Sequence, residues 1–76
     1  MNKTRRKAIA SIIDRLEPLK NELEIILDEE QENFDNMPEG LQYSERGDMS
    51  QEAIDNLETA LDNLEDVIDS LNESMN

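Results

Sequence analysis

Six side chains hold most of what this sequence offers to a small ligand. Tyr43, Ser44 and Arg46 stand together ahead of a long helical stretch, and Arg5, Arg6 and Lys7 lie near the start of the chain. A guanidinium, a hydroxyl and the backbone amides that begin a helix can together hold an anion such as phosphate. A phenol ring can stack on a base. If two chains pair head to tail, the basic cluster of one approaches the loop of the other, completes such a pocket and offsets the acids around it. The ligand that fits this chemistry is a small nucleotide.

A second candidate surface is acidic. Asp55, Asp62 and Asp69 recur every seven residues, with Glu58 and Glu65 alongside. On a helix rising ~1.5 Å per residue they stand about 10 Å apart. Carboxylates repeated on a rigid rod resemble a phosphate backbone and can occupy the basic groove of a nucleic-acid-binding protein. The plain alternative is a solvated face that keeps a small protein in solution. The regular spacing follows from the heptad itself and so does not decide between the two.

Catalysis finds little support. The chain has no His and no Cys, no Gly-rich phosphate loop and no Ser in a nucleophile motif. Its paired carboxylates fall on helix faces where solvation is the natural state, not on a buried acid/base pair. An EF-hand aligned on Gly40 starts at Asp35 but puts Met37 at the third position and Arg46 at the twelfth, where oxygen ligands are needed. Carboxylate-bridged di-iron bundles need Glu-x-x-His pairs. No enzyme, no cofactor and no specific metal site is expected.

The elements that must position these residues are legible. Glu52 to Asn72 reads as three heptads, EAIDNLE, TALDNLE and DVIDSLN. Ile54, Leu57, Leu61, Leu64, Ile68 and Leu71 alternate spacings of three and four, and Met75 extends the series. A strict seven-residue apolar repeat asks a helix to supercoil against another. Ala53, Ala60 and Val67 flank this seam. Ser50 suits an N-cap, with Met49 and Ile54 at the spacing of a hydrophobic staple, so the spacing predicts this helix over about 50–74.

A first helix is predicted over about 4–35. Ile9, Ile12, Leu16, Leu19, Leu23 and Ile26 keep the three–four spacing, and Ile13, Leu27 and Phe34 widen the stripe. Pro18 removes one backbone hydrogen bond and crowds the carbonyl four residues back, which predicts a kink or a restart near 18. Between the helices the periodicity stops. The stretch 36–49 holds Pro38, Gly40 and Gly47 and reads as a loop, longer than the ~2–8 residues usual between bundle helices. Either it wraps the bundle end, plugged by Leu41 and Tyr43, or it is the binding element.

With 76 residues and two aromatics, the chain can build only a thin core. Disulfides and transition metals are closed to it, which leaves oligomerisation as the stabilising route. The net charge of −13 is unevenly spread: residues 1–20 carry six basic and two acidic side chains, residues 21–76 one basic and eighteen acidic. In an antiparallel hairpin this gathers ten acids within Asp28–Asp55, opposed only by Arg46. A head-to-tail dimer relieves the repulsion. The expected fold is therefore all-α: one helical-hairpin domain over 1–76 with coiled-coil-like heptads, dimerising into an antiparallel four-helix bundle. The acidity argues against direct binding of duplex nucleic acid. No apolar run is long enough for a signal peptide or a membrane span, and a cytoplasmic location is the simplest expectation.

In EEQENFDNMPEGLQYSERGDMSQEAIDNLETALDNLEDVI and the opening RRKAIASII, the chain resembles small acidic helical proteins encoded by bacteriophages and mobile elements of Gram-positive bacteria, a family with no assigned activity. Its layout, a turn with Pro and Arg leading into a Leu/Glu/Ala-rich helix, is also similar to that of phage proteins that sequester cyclic-nucleotide signals of antiviral defence. The resemblance implies a small non-enzymatic accessory protein, of anti-defence type, that binds and inhibits a host factor in the bacterial cytoplasm. A sponge for a nucleotide second messenger and a structural or adaptor protein are the alternatives.

Overall fold

The computed structural model describes all of Met1–Asn76 and is entirely helical: α1 over Lys3–Asp35, α2 over Glu39–Gln42 and α3 over Glu45–Ser74. α1 and α3 lie against each other as an antiparallel hairpin with Cα extents of 58 × 15 × 13 Å. At the start of α1, the Asn2 side-chain oxygen accepts a hydrogen bond from the Arg5 backbone N–H at 2.8 Å, satisfying one of the donors that a helix start leaves open. No helix is long and apolar enough to cross a membrane.

α1 runs unbroken through Pro18, so of the two expected outcomes the restart does not occur. Pro18 lies on the exposed side of the helix. There the Asp14 carbonyl that loses its partner can turn to water, and the apolar register continues on the opposite side.

Burial follows two lines of strict heptad spacing. On α1 they are Ile9, Ile13, Leu16, Lys20, Leu23, Leu27, Glu30 and Phe34; on α3, Ser50, Ile54, Leu57, Leu61, Leu64, Ile68, Leu71 and Met75. Every residue on these lines is buried or half-buried, and Ile13, Ile54, Leu61 and Ile68 form the centre. The α3 line is the one the sequence predicts. On α1 the buried line lies one position away from Ile12, Leu19 and Ile26, which remain exposed. α1 offers two overlapping apolar stripes, and α3 covers the one that also contains Lys20 and Glu30.

The connection differs from the expected loop over 36–49. α2 gives it one helical turn, with Leu41 and Gln42 both donating backbone N–H to the Pro38 carbonyl. α3 begins at Glu45, with Ser44 in the capping position, and not at Ser50. Ser50 is buried inside the helix, and Met49 is exposed and staples nothing. Gly47 makes the earlier start possible. A Cβ there would lie 2.6 Å from the Leu41 carbonyl oxygen and closer still to that of Gln42. Without one, the first turn of α3 passes directly against the backbone of α2. Leu41 and Tyr43 do not plug the bundle end, since they are 40% and 81% exposed.

Candidate functional site

The hydroxyl of Ser50 donates to Glu30 Oε1 at 2.6 Å, the one side-chain hydrogen bond joining α1 to α3. It fixes the register of the hairpin. With equal rise along both helices, Ala53 lies level with Leu27, Ala60 with Lys20 and Val67 with Ile13. With the buried lines taken as heptad positions a and d, Ile13, Lys20, Leu27 and Phe34 are a on α1, and Ile54, Leu61, Ile68 and Met75 are a on α3. Because antiparallel neighbours reverse the direction of the wheel, e positions of both helices share one side of the hairpin and g positions share the other.

The e side is acidic. Glu58 and Glu65 of α3 are e residues, and Glu24 and Glu17 of α1 are e residues at nearly the same levels. Asp55, Asp62 and Asp69 continue this surface one position further round α3. All seven side chains are exposed. Asp55 is held in place, since its Oδ1 accepts from Gln51 Nε2 at 3.1 Å. The helix faces thus bring together all five acids expected from the sequence and add Glu17 and Glu24. A heptad reading of α1 taken on Ile12 and Leu19 hides those two, because it turns them toward the wrong side. Like charges facing each other across a seam repel, at a cost of a few tenths of a kcal/mol per pair.

The other candidate residues are dispersed. Arg46 lines an open cleft of about 280 Å³ with Glu30, Asn33, Met37, Met49 and Ser50. Tyr43 and Ser44 do not line it. Tyr43 points to solvent, and the Ser44 hydroxyl donates to the Leu41 carbonyl at 2.5 Å in place of capping α3. Gln42 ties the turn to α1 by donating Nε2–H to the Phe34 carbonyl at 3.0 Å. Arg5, Arg6 and Lys7 occupy the first turns of α1, at the far end of the hairpin from Arg46, and are exposed. The sequence reading missed Glu30, Asn33, Met37, Met49 and Ser50 as neighbours of Arg46. The available signal was polar residues falling in the apolar register, Glu30 and Ser50, which are the two that bond to each other.

No group of three or more acidic side chains is arranged to hold a metal ion. No protein-family model matches the chain, and neither a curated protein nor a solved structure shows detectable similarity to it.

Proposed function

We propose that this protein is a non-catalytic binding protein that presents its acidic side to a cationic groove on another protein, in the manner of a nucleic-acid backbone. The reading extends to its setting: a phage-type accessory protein, acting in the cytoplasm, that inhibits a host factor by occupying that groove. Two hairpins associate as an antiparallel four-helix bundle, which gives the short chain a real core and displays two acidic sides. One observation supports this above the others. Glu17 and Glu24 stand opposite Glu65 and Glu58 across the same seam, an arrangement that disfavours the hairpin on its own and that a cationic partner would relieve. Alternating signs at these positions would have stabilised the hairpin instead.

The test removes the charge and keeps the shape. In the variant Glu17→Gln, Glu24→Gln, Glu58→Gln, Glu65→Gln, thermal stability should rise while retention of host proteins in a low-salt affinity pulldown falls. The wild-type complex should dissociate as salt increases, because exposed charge pairs are screened. Retention of the same proteins by the neutralised variant would refute the acidic-face reading. A second reading, a nucleotide sponge, is supported by Arg46 and Asn33 in the cleft. It predicts a nucleotide co-purifying with the wild type and lost in Arg46→Ala, whereas acidic-face docking should not depend on Arg46.

A further inference from the structure

The g side of the hairpin is the chemical opposite of the e side. On α1 its residues are Arg5, Ile12, Leu19, Ile26 and Asn33; on α3, Arg46, Ala53, Ala60, Val67 and Ser74. The register puts Ile26 beside Ala53, Leu19 beside Ala60 and Ile12 beside Val67, three successive layers that each pair a large residue with a smaller one. Ile12, Leu19, Ile26 and Val67 are 39–51% exposed and are four of the nine large apolar side chains this chain leaves open to solvent. The acids of α3 avoid this side. All ten acids of α3 fall at b, e and f, and the c positions that border g are Met49, Asn56, Asn63 and Ser70. A helix with ten acids among thirty residues has no reason to keep two adjoining columns free of them if water is their environment.

We infer that the g side is covered by a second copy of this chain, head to tail, with α1 on α1 and α3 on α3 about a two-fold axis at the level of Leu19 and Ala60. This rests on the self-assembly in the proposed function and specifies its face and direction. Charge sets the direction. The c positions of α1 that border the g side run Ala8, Arg15, Glu22, Glu29, positive toward the N-terminus and negative toward the loop. Head to tail, Arg15 comes within one residue of the level of Glu22 of the partner subunit, and Ala8 within one residue of that of Glu29 of the partner subunit. The same axis brings Ile12 to Ile26 of the partner subunit. With the loops at the same end instead, α1 would lie on the partner's α3, whose c column is uncharged, and the charge gradient of α1 would go unused.

The arrangement has a consequence for the cleft. Arg5 of the partner subunit comes level with Asn33, so each cleft gains a second guanidinium opposite Arg46. The cleft then becomes a site that the single hairpin leaves incomplete, with two cations beside the Glu30 carboxylate that Ser50 already engages.

The chain has no Cys, so a single Gly40→Cys substitution carries one nitroxide label per chain, in open space on α2. Pulsed electron–electron resonance on the full chain should give a distance on the order of 60 Å, from two tips lying at opposite ends of the assembly. Adding Ala60→Glu, at an exposed position in the centre of the g side, should abolish the distance and halve the mass, with helicity falling as the hairpins separate. Adding Thr59→Glu, one residue away on the outer face, should change neither. A distance near ~20 Å would mean that the loops share one end and would overturn the inference while leaving self-assembly in place. A long distance that survives Ala60→Glu would overturn the face. A wild-type chain with no intermolecular distance and a single-chain mass would overturn both the inference and the assembly it rests on.

Discussion

Replacing Gly47 by Ala should destabilise the protein, although the same change in a helix interior ordinarily does the opposite. Gly47 is the third residue of α3 and its φ is not positive, so backbone conformation does not demand glycine. Ala would gain about 1 kcal/mol in helix propensity. The added methyl would meet main-chain atoms, however: the Leu41 carbonyl oxygen at 2.6 Å, the Gln42 carbonyl carbon at 2.5 Å and the Gln42 oxygen nearer still. Ordinary contact begins at 3.4 Å, so α2 must retreat by roughly 0.8 Å or more. Overpacking of this kind costs about 1–3 kcal/mol, and the obstacle here is backbone, not a flexible side-chain end. The cheapest relief is to lift α2 off α3. That strains the Gln42–Phe34 hydrogen bond and opens the cleft that Arg46 lines. The net expectation is a loss of up to about 2 kcal/mol, or up to roughly 15 °C in melting temperature for a domain of this size. Gly40→Ala is the control: its Cβ meets nothing within 4 Å, and it should stabilise by up to about 1 kcal/mol. Circular-dichroism melts of both variants at one protein concentration decide the matter, with amide exchange showing whether the protection lost is local to 38–47. If Gly47→Ala melts as high as Gly40→Ala, the close approach of α2 and α3 is wrong.

Pro18→Ala should raise stability by about 2–3 kcal/mol in urea unfolding, because the position is exposed within a continuous helix and Ala restores a backbone hydrogen bond; no gain would mean that the helix does not run straight through it. Ser50→Ala should lower stability by about 1–2 kcal/mol, since it leaves a half-buried Glu30 oxygen without its donor; an unchanged unfolding midpoint would remove the bond from the account. Lys20, alone among the a residues of α1 and α3 in being charged and half-buried, should behave as a device for register. Lys20→Leu should raise the melting temperature while broadening the distribution of oligomers seen by native mass spectrometry, and a sharper, unchanged distribution would argue against that role.

The fold was largely readable from the sequence because α3 repeats without interruption. Each of Ile54, Leu57, Leu61, Leu64, Ile68 and Leu71 sits where the heptads put it. α1 was less readable, since Ile12 and Ile13, or Ile26 and Leu27, satisfy the same spacing, and only the partner helix selects between them. The start of α3 was misread for a physical reason. Gly47 looks like a breaker in sequence, yet it is there to admit a neighbouring backbone, and Ser50 looks like a cap, yet its hydroxyl serves Glu30. The acids of α3 were visible as a column. Their continuation through Glu17 and Glu24 was not, because it depends on which stripe of α1 is buried.

The most direct test of the account is the mass of the untagged chain by light scattering at micromolar concentration, taken together with its helicity. A hairpin with four buried apolar side chains and an uncovered apolar side should not be the folded unit. The expected mass is twice 8.8 kDa, with dissociation on dilution accompanied by loss of helix. A sample that holds 8.8 kDa with its helicity intact would contradict it.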